Sequence, residues 1–532
     1  MLLHTICHFV PTDMPIAPLP ISAGQPRNRN NFFKNIQNFV CFFPFHAYNI
    51  YEYMADAGNV GSYKYQIRQG ENNPMYQIDF SNPIHIHFIG IGGISMSGLA
   101  EILLSEGFTI SGSDLRRSPL TDMLEQKGIR FCDRQCADNL TDDVDLVVYT
   151  AAIHPDNPEY MAIAARNLPS LTRAQLLGQI MRNYETPVAI SGTHGKTTTT
   201  SMISEILMRA NADPTLSIGG ILPSIGGNIR IGKSGYFVTE ACEYTNSFLS
   251  FFPRIGVILN VEEDHLDFFR DIDEIRESFH KFASLLPEDG ILLINSGIEQ
   301  LRAITDGLSC RIVTFGKDPS SDYWYDGLTY DETACPSFTL HNGEHIQTVA
   351  LSVPGEHNVL NAMAAMALSD ILSLPRSAAL AALKDFHGTD RRFEYKGRIG
   401  GVTIIDDYAH HPTEIRATLH AAARYPHKTL WCVFQPHTYT RTKAFLPQFA
   451  DALSLADRVV LADIYAARET DTLGISSRTL QKAIAETGKE CFYFPSFDEI
   501  ENFLLEHCTN GDLLITMGAG DVVKIGENLL GL

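Results

Sequence analysis

From Pro83 onward, short apolar runs rich in β-branched residues alternate with longer segments of helical periodicity. This alternation is typical of parallel sheets covered by helices, because a parallel strand buries both faces and needs a crossover to reach its neighbour. The alternation occurs in three blocks, and no short repeat relates them. We therefore predict an α/β protein with three different domains.

Polar or glycine-containing links near 184–186 and 387–389 separate the blocks, so we predict domains at 75–184, 185–388 and 389–532. The predicted strands are 84–91, 108–114 and 146–152 in the first block; 187–192, 236–241, 255–261, 290–296 and 311–316 in the second; and 401–410, 430–436, 458–465 and 513–520 in the third.

The first 74 residues sustain neither helical nor strand periodicity, although they contain the aromatic run FVCFFPFHAYNIYEY. Met75 then opens the first predicted domain. We predict that residues 1–74 form a poorly ordered extension, or lie upstream of the start that the cell uses. The alternative is an accessory segment whose exposed aromatic side chains bind a partner.

Charge and apolar patterning exclude two classes of function. A formal net charge of -21 argues against a protein that grips nucleic acid through its phosphates, since such a surface needs clustered Lys and Arg. No segment resembles a membrane span or a secretory signal, so we expect a cytoplasmic protein. The ten cysteines form no zinc pattern, because only Cys132 and Cys136 lie close together, and we expect reduced thiols.

The stretch AISGTHGKTTTTSM, residues 189–202, has the context of a phosphate-binding loop. A predicted strand leads into Gly192 and Gly195, and a helix is predicted from Thr197 onward. In this arrangement backbone N–H groups and the helix N-terminus face phosphate oxygens, Lys196 reaches the β- and γ-phosphates, and the Thr197 hydroxyl ligates Mg2+. The glycines are closer together than in the general loop, so a tight turn with a solvated lysine is the alternative.

Two further polar side chains follow strands of the second block. Glu240 ends the strand YFVTEA, and His265 lies just beyond the strand in IGVILNV. Ligands of open α/β sheets bind at the carboxyl ends of the strands, so both side chains are candidate Mg2+ ligands. A hard cation prefers oxygen, however, and a hydrogen-bonded structural histidine is the other interpretation of His265.

The first block opens with GIGGISMSGLA, residues 90–100, between a predicted strand and a predicted helix. Asp114 ends the next strand, where a ribose partner belongs in a dinucleotide fingerprint. Such a glycine pattern alone fits NAD, a flavin or any nucleotide diphosphate. It therefore predicts a nucleotide site without naming the nucleotide.

The third block concentrates polar groups at the ends of its strands. IIDDYAHHPTE, residues 404–414, places two carboxylates, a tyrosine and two histidines after a buried strand, and packing alone would not require them. FQPHTYTRT adds His437 and Arg441 beyond the next strand. Before this block, Asn358 and Asn361 lie three apart and hence on one helix face, where their amides read an adenine edge or bridge the helix.

Together these stretches resemble the Mur ligases, the ATP-dependent amide-forming enzymes of peptidoglycan precursor synthesis. The resemblance covers essentially residues 75–532, and the short glycine spacing of the phosphate loop is itself a family trait. The stretches that carry it are, in chain order, HFIGIGGISMSGLA, SGTHGKTTTTSM, EHNVLNA, DRRFE, DDYAHHPTE, QPHTYTRT and ITMGAGD.

The resemblance implies a Rossmann-like N-terminal domain for a UDP-sugar, a central P-loop ATPase-type domain with a mostly parallel sheet, and a Rossmann-like C-terminal domain for an amino acid. It implies ATP and Mg2+ as cofactors, and UDP-N-acetylmuramate and L-alanine as substrates. The lactyl carboxylate would take the γ-phosphoryl group of ATP, and the amine of alanine would attack the resulting acyl phosphate. A murein-peptide recycling ligase, which joins a tripeptide to the same UDP-sugar, is the alternative within the family.

The family pattern also implies roles for individual residues. The implied catalytic residues are Lys196, His410 and Arg441. The implied metal ligands are Thr197, Glu240 and His265. The residues implied to bind ATP are Gly192, Thr193, His194, Gly195, Lys196, Thr197, Thr198, Asn358, Asn361, Arg392, Asp406 and Asp407. The residues implied to bind the other substrates are Gly90, Gly92, Gly93, Ser95, Asp114, Tyr408 and His410.

Three positions depart from the family pattern. Thr438 stands where a basic residue is common, which puts one contact with a phosphate or carboxylate in doubt. EACEYTN replaces an acidic stretch that often reads EADESD, so of its acidic residues only Glu240 and Glu243 carry over. ESFHKFA has His280 at the register of a lysine that several relatives carbamylate, with Lys281 beside it, and we assign no carbamate.

Two functions from other classes explain less of the chain. A nicotinamide-dependent oxidoreductase would use the first glycine pattern but leaves the phosphate loop unexplained. A non-catalytic ATP-binding module predicts that no phosphate is released. We expect no nucleic-acid or membrane partner, and either a monomer or a homodimer.

Overall fold

The computed structural model describes residues 75–532, except residues 151, 344 and 468. The prediction made for residues 1–74 lies outside the described residues. The described part of the chain forms three β-sheets, and helices alternate with the strands of each. The predicted α/β class with three sheet-containing parts is therefore confirmed.

The first sheet consists of five short parallel strands. Its strands are β1 (His85–Ile89), β2 (Thr109–Ser113), β3 (Arg130–Cys132), β4 (Leu146–Tyr149) and β5 (Ser170–Thr172). Its helices are α1 (Ile94–Ser105), α2 (Pro119–Gln126), α3 (Pro158–Arg166) and α4 (Arg173–Met181). The strand order is β3-β2-β1-β4-β5, so the chain reverses its direction of travel across the sheet between β1 and β4. Open parallel sheets bind ligands at such a point.

The second sheet is the largest, with ten strands. Its strands are β6 (Thr186–Ser191), β7 (Thr215–Leu222), β8 (Gly227–Arg230), β9 (Tyr236–Ala241), β10 (Ile255–Ile258), β11 (Ile291–Asn295), β12 (Arg311–Gly316), β13 (Tyr323–Tyr330), β14 (Pro336–Asn342) and β15 (His345–Ala350). Its helices are α5 (Lys196–Arg209), α6 (Ile272–Ala283), α7 (Arg302–Thr305), α8 (His357–Ile371) and α9 (Arg376–Asp385). The order is β15-β14-β13-β12-β11-β10-β6-β9-β7-β8. Neighbours from β13 to β7 run parallel, whereas β14, β15 and β8 pair antiparallel.

The third sheet has six strands. They are β16 (Glu394–Ile399), β17 (Val402–Asp407), β18 (Leu430–Phe434), β19 (Arg458–Leu461), β20 (Glu490–Tyr493) and β21 (Leu513–Met517). Its helices are α10 (Pro412–Ala422), α11 (Tyr439–Ala444), α12 (Leu446–Leu453), α13 (Ser477–Glu486), α14 (Phe497–His507) and α15 (Val523–Leu530). The order is β16-β17-β21-β18-β19-β20, and only the edge strand β16 pairs antiparallel within this sheet.

Strand β6 shows how the sequence positions the phosphate loop. Its residues are buried, and successive side chains point to opposite faces of the sheet. Val188 and Ile190 pack into one hydrophobic core of the second sheet, while Ala189 packs into the core that this sheet shares with the first. Both faces of β6 are covered by these cores. The chain therefore leaves the sheet only at the end of β6, where the glycine turn begins.

Two glycines bring helices of the first sheet against the second. Gly98 of α1 lies against Ile229 of β8, and Gly178 of α4 lies against the carbonyl oxygen of Ser250. A Cβ at either position would overlap these atoms. Both contacts therefore depend on the absence of a side chain.

Each predicted strand run contains an observed strand, but nine observed strands were not predicted. The unpredicted strands are β3, β5, β7, β8, β13, β14, β15, β16 and β20. Several are only three or four residues long, and β13 to β15 form an antiparallel extension that a parallel-sheet pattern does not indicate. In the described part of the chain, none of the helices has the length and apolarity needed to cross a lipid bilayer.

Candidate active site

The predicted phosphate loop joins β6 to α5 through residues 192–195. Gly192 has φ +142° and Gly195 has φ +81°, conformations that residues with a side chain rarely adopt. A Cβ on Gly195 would also lie 2.6 Å from Oδ1 of Asn361 in α8. Backbone freedom and lack of space therefore both require glycine at position 195.

Lys196, the first residue of α5, folds back over the loop. Its Nζ donates to the carbonyl oxygens of Gly192 (2.5 Å) and Thr193 (3.1 Å), and to Oε2 of Glu243 (2.9 Å). Burial alone would lower the pKa of Lys196, but the Glu243 carboxylate outweighs it, so the pKa is raised. The loop therefore carries a fixed positive charge.

Thr197 and Glu240 place two oxygen donors side by side. The Thr197 hydroxyl donates to Oε2 of Glu240 at 3.1 Å, and Oε1 of Glu240 accepts the N–H of Gly219 at 2.5 Å. Burial raises the pKa of Glu240 although both hydrogen bonds oppose the shift. A nearby cation would relieve this cost, because it would favour the ionised carboxylate.

His265 lies on the other side of Glu243. Its Nε2 is 3.7 Å from Oε1 of Glu243 and 3.8 Å from Oδ2 of Asp264, and its ring stacks on Tyr244 with centroids 4.4 Å apart. Burial lowers the pKa of His265, so the neutral imidazole is favoured. The structure thus places His265 beside Glu243, the partner of Lys196.

A cavity of about 440 Å3 opens beside the loop, between the second and third sheets. The predicted ATP-binding residues on its wall are His194, Gly195, Thr198, Asn358, Asn361, Arg392 and Asp407. Asn361 donates from Nδ2 to Oδ1 of Asn358 at 3.0 Å, and Asn358 donates to the carbonyl oxygen of Pro354 at 2.7 Å. The two amides therefore bridge the start of α8 and also face the cavity.

The two predicted aspartates of β17 go to different places. Successive side chains of a strand alternate between faces, and only Asp407 reaches the cavity. Asp406 is fully buried, accepts the Thr516 hydroxyl at 2.6 Å and pairs with Nε of Arg391 at 3.1 Å. The structure does not bring Asp406 to this cavity.

His194 of the loop has two carboxylate neighbours that the sequence did not indicate. Its Nδ1 is 3.2 Å from Oε1 of Glu414 in α10, and its Nε2 is 3.6 Å from Oε2 of Glu262. Burial alone would lower the pKa of His194, but these carboxylates raise it to about 9. His411, the N-cap residue of α10, and Glu414 three residues later form a capping box, the only local signal for Glu414.

Tyr408 and His410 follow β17, as predicted from the sequence. The guanidinium groups of Arg391 and Arg392 lie 5.0 and 5.1 Å from the centre of the Tyr408 ring. His410 has its Nδ1 3.0 Å from the carbonyl oxygen of Tyr408 and 3.3 Å from Oε2 of Glu414. Burial lowers the pKa of His410 to about 4, so its ring is neutral near pH 7.

Arg441 in α11 reaches from the third sheet to the second. Its Nη2 and Nε donate to Oδ1 of Asp264 at 2.9 and 3.2 Å, and its Nη1 is 3.2 Å from Nδ1 of His437. Burial alone would raise the pKa of Asp264, but the Arg441 guanidinium holds it well below its usual range. Sequence reasoning missed Asp264, because its partner is far away in the chain.

Thr438 and Lys281, which the family pattern left open, are both accounted for. Thr438 caps α11 with its hydroxyl, which accepts the Arg441 N–H at 3.4 Å, and it has φ +66°. Lys281 pairs with Glu277 at 2.8 Å on the exposed side of α6, and His280 contacts the carbonyl oxygen of Ile304 at 2.9 Å.

The first glycine pattern forms a second, separate turn. The N–H of Gly92 donates to Oδ2 of Asp114 at 2.9 Å, and Gly90 has φ +84°. Gly93 precedes α1, and Ser95 in its first turn accepts Nη1 of Arg173 at 3.1 Å. Burial lowers the pKa of Arg173, a residue the sequence did not single out.

We predict that Asp407→Asn changes how stability depends on pH. Burial raises the pKa of Asp407 to about 6, above its ordinary 3.8, while Arg392 opposes the shift. Ionisation therefore costs the folded wild type stability as pH rises from about 4 to 6, and the variant has no such cost. From pH 5 to 7 the free energy of unfolding should shift by about 1 kcal/mol in favour of the variant.

Urea unfolding of both proteins, followed by the fluorescence of Trp431, measures this shift, because Trp431 is fully buried in the third sheet. The variant also loses one hydrogen-bond acceptor, which changes its free energy of unfolding by the same amount at each pH. The test therefore uses only how the difference between the two proteins changes with pH. An offset that stays the same from pH 5 to 7 would contradict the raised pKa.

Three α/β sheets with a short glycine–lysine turn between a strand and a helix define a protein of the nucleotide-binding α/β class, and comparison with known proteins identifies its family. Residues 85–185 match the model of the Mur ligase family, catalytic domain; residues 190–369 match the Mur ligase middle domain; and residues 391–520 match the Mur ligase, glutamate ligase domain. The chain belongs to the Mur ligase family, whose members are ATP-dependent ligases.

Two curated relatives carry the same name. The chain is 62% identical over 457 residues to a UDP-N-acetylmuramate–L-alanine ligase of Agathobacter rectalis, with 86% of this chain and 100% of the relative covered. It is 61% identical over 458 residues to the enzyme of the same name from Lachnospira eligens, with 86% and 100% covered.

Solved structures of two family members share the fold. A crystal structure of the UDP-N-acetylmuramate–alanine ligase MurC from Thermotoga maritima matches with a TM-score of 0.71 at 30% identity, covering 84% of this chain and 98% of that one. A murein peptide ligase from Psychrobacter arcticus matches with a TM-score of 0.64 at 27% identity and the same coverage.

Proposed function

We propose that this chain acts as a UDP-N-acetylmuramate–L-alanine ligase. It joins the amine of L-alanine to the lactyl carboxylate of UDP-N-acetylmuramate, and ATP is cleaved to ADP and phosphate. The observation that carries the proposal is the 62% identity with such a ligase over that relative's whole length. The loop, the cavity and the polar strand ends provide the groups that this reaction needs.

The proposal assigns one ligand to each predicted domain. Residues 75–184 hold the UDP-sugar, residues 185–388 hold ATP, and residues 389–532 receive L-alanine. We also propose a cytoplasmic enzyme that is a monomer or a homodimer; sedimentation velocity distinguishes these two states.

The chemistry explains why a phosphate loop serves amide formation. A carboxylate is a poor electrophile because oxide would have to leave, and phosphorylation supplies a better leaving group. The step brings two anions together, so neutralisation of charge is a major catalytic contribution. Lys196, held as a cation against the loop carbonyls and Glu243, provides such a charge.

The residues of the proposed Mg2+ site fit a hard cation. The Thr197 hydroxyl and the Glu240 carboxylate lie 3.1 Å apart and offer oxygen donors, which Mg2+ prefers. His265 offers a neutral imidazole beside Glu243. Bound Mg2+ would neutralise charge on the phosphates, and Asn358, Asn361 and Arg392 would hold the nucleotide from the cavity wall.

His410 is suited to accept a proton from the attacking amine. Its Nδ1 lies near two acceptors, the Tyr408 carbonyl oxygen and Glu414, so Nδ1 carries the proton and Nε2 is the basic nitrogen. The ring is neutral because burial lowers its pKa to about 4. Groups of the second and third sheets meet here, so the assembled site would keep water from the acyl phosphate.

We predict that Gly92→Ala weakens binding of the UDP-sugar. A Cβ at this position would lie 2.8 Å from Oδ2 of Asp114, so the 2.9 Å bond from the Gly92 N–H would be lost. A hydrogen bond to a charged group contributes about 1.5–3 kcal/mol, so KM for the UDP-sugar should rise about tenfold or more. Steady-state kinetics should show an unchanged KM for ATP.

Gly227→Ala is the matched control for this change, because no atom would lie within 4 Å of its Cβ. It should keep the wild-type KM for both substrates. A larger effect on the KM for ATP than on the KM for the UDP-sugar in Gly92→Ala would argue against a sugar-nucleotide site at the first turn.

Release of ADP and phosphate, measured with each substrate omitted in turn, tests the proposed function. Release should require UDP-N-acetylmuramate and L-alanine together. Release without either substrate would contradict the proposal, as would no release with both.

The recycling ligase remains the second candidate, because a murein peptide ligase shares the fold at a TM-score of 0.64. Its acceptor is a tripeptide, so the same assay with L-Ala-γ-D-Glu-meso-diaminopimelate separates the two. We expect turnover with L-alanine and none with the tripeptide.

A further inference from the structure

A cluster of two histidines and a glutamate lies where the second and third sheets meet. His194 comes from the phosphate loop, Glu262 follows β10, and His411 precedes α10. One nitrogen of each imidazole and one carboxylate oxygen all lie within 4.8 Å of one another. None of the three belongs to the proposed Mg2+ set of Thr197, Glu240 and His265.

The cluster contains two buried imidazole nitrogens without a hydrogen-bond partner among the described residues. His411 is only 5% exposed, and its Nε2 has no hydrogen-bond partner among the described residues. The Nε2 of His194 is likewise buried without a hydrogen bond, although Glu262 Oε2 stands 3.6 Å away. Buried polar atoms are rarely left unsatisfied, so two such nitrogens in one cluster call for a ligand.

Neighbouring side chains contact the cluster in the way that the hydrogen-bond partners of metal ligands orient those ligands. Oε1 of Glu414 lies 3.2 Å from Nδ1 of His194, an arrangement that orients the ring and leaves Nε2 for a metal. The Thr413 hydroxyl donates to Oε2 of Glu262 at 2.8 Å. Two carboxylates, Glu262 and Glu414, balance the charge of a divalent cation.

We propose that His194, Glu262 and His411 form a binding site for an imidazole-preferring divalent cation such as Zn2+. Two nitrogens and one oxygen suit Zn2+ better than Mg2+, which prefers oxygen ligands. The three ligands leave a fourth position for water. The site goes beyond the proposed ligase function, because that function assigns no metal-binding role to these three residues, although His194 and Glu262 also line the cavity proposed for ATP.

Binding releases one proton and moves another. The raised pKa of His194 means that its ring carries both protons near pH 7, so coordination through Nε2 releases the proton of that nitrogen to solvent. Nδ1 of His411 accepts a long bond of 3.3 Å from the Thr413 N–H, so the free ring carries its proton on Nε2. Coordination through Nε2 places that proton on Nδ1 and gives up this bond. One weak hydrogen bond is exchanged for three coordinate bonds.

The site joins separate parts of the chain. His194 and Glu262 belong to loops of the second sheet, whereas His411 belongs to the third. A bound cation would fix these parts together at the wall of the 440 Å3 cavity.

Titration of the full-length, metal-free protein with Co2+ tests the site without any substrate, so its outcome is independent of ligase activity. Tetrahedral Co2+ absorbs strongly in the visible range, and Zn2+ should displace it. We expect one such Co2+ per wild-type chain, without the charge-transfer band of thiolate ligation.

Two variants and one control make the test specific. His411→Asn removes Nε2 but keeps a capping acceptor for α10, and Glu262→Gln keeps an acceptor for Thr413. Each should weaken Co2+ binding by at least about tenfold. His420→Asn, an exposed histidine of the same helix, should bind like the wild type.

Thermal unfolding without metal checks that the variants fold, and Zn2+ should raise the Tm of the wild type and not of His411→Asn. Absence of the visible band in the wild type would overturn the proposal. Wild-type affinity in both His411→Asn and Glu262→Gln would overturn it as well.

Discussion

Replacement of Lys196 by methionine is expected to reduce turnover by about three orders of magnitude or more. Its Nζ is held within 3.1 Å of two loop carbonyl oxygens and 2.9 Å of Glu243, so no other described side chain can take its place at the loop without rearrangement. Loss of one preorganised donor to a developing oxyanion costs about 10²–10³-fold, and Lys196 carries a full charge in addition. Coupled release of ADP at saturating substrates measures kcat.

The same change should lower stability, which sets the conditions of the assay. Glu243 is 3% exposed and would become a buried carboxylate without its cation, a change that costs about 3–5 kcal/mol. Activity is therefore compared well below the Tm of the variant. Glu243→Gln in the Lys196→Met background should recover stability and not turnover, which separates the two effects.

Lys281→Ala is the matched control, because Lys281 is exposed and pairs only with Glu277 on α6. It should keep wild-type turnover. Loss of turnover in Lys281→Ala would instead point to a carbamylated lysine, and near-normal turnover in Lys196→Met would remove the basis of the proposed mechanism.

Replacement of Arg441 by methionine is the second large effect that we expect, at about 10²–10³-fold in kcat. Arg441 spans from α11 to Asp264, and both side chains are at most 10% exposed. Its loss leaves a buried carboxylate unpaired beside His265, and it also removes a cation that the family pattern implies to be catalytic. Single-turnover rates with both substrates bound measure the effect.

A double-mutant cycle with Asp264→Asn decides which of these two losses matters. Contacting residues typically couple by 0.5–3 kcal/mol. We expect the double variant, like Arg441→Met alone, to have a turnover at least about tenfold lower than that of Asp264→Asn, because the cation itself acts on the substrate. Full recovery of turnover in the double variant would show that Arg441 only neutralises Asp264.

Arg416→Met controls for the loss of an arginine–aspartate pair as such. Arg416 pairs with Asp451 at 2.6 Å, but both side chains are more than 40% exposed. Exposed pairs contribute little to stability, so this variant should match the wild type in kcat and in Tm.

The sequence predicted the parts of the fold that depend on periodicity. Fully buried parallel strands such as β10 and β18 consist of continuous apolar runs, and each was predicted. β7 was missed because Gly219 and Gly220 interrupt its pattern, and β15 because its exposed side chains give no apolar face. Such strands are defined by their neighbours rather than by their own residues.

The residues of the candidate site also divide into those that local motifs indicate and those that only the fold brings together. Local motifs led to the phosphate loop, to Glu240 and to the strand end at Tyr408 and His410. The partners Asp264 and Glu262 lie far in sequence from Arg441 and His194, and no spacing rule connects them. Asp406 and Asp407 are adjacent in sequence, but the alternation of a strand sends only Asp407 to the cavity.

The glycine contacts of α1 and α4 have a consequence for how the molecule changes shape. Gly98 lies against Ile229 and Gly178 lies against Ser250, so neither helix has room to slide over the second sheet. We therefore expect the first and second sheets to move as one unit. The third sheet meets the second through polar bridges such as Arg441 to Asp264, and the cavity opens between these two sheets. A hinge that opens the enzyme to release product would therefore move the third sheet against the other two, and a UDP-sugar held at the first turn, as proposed, would stay in place.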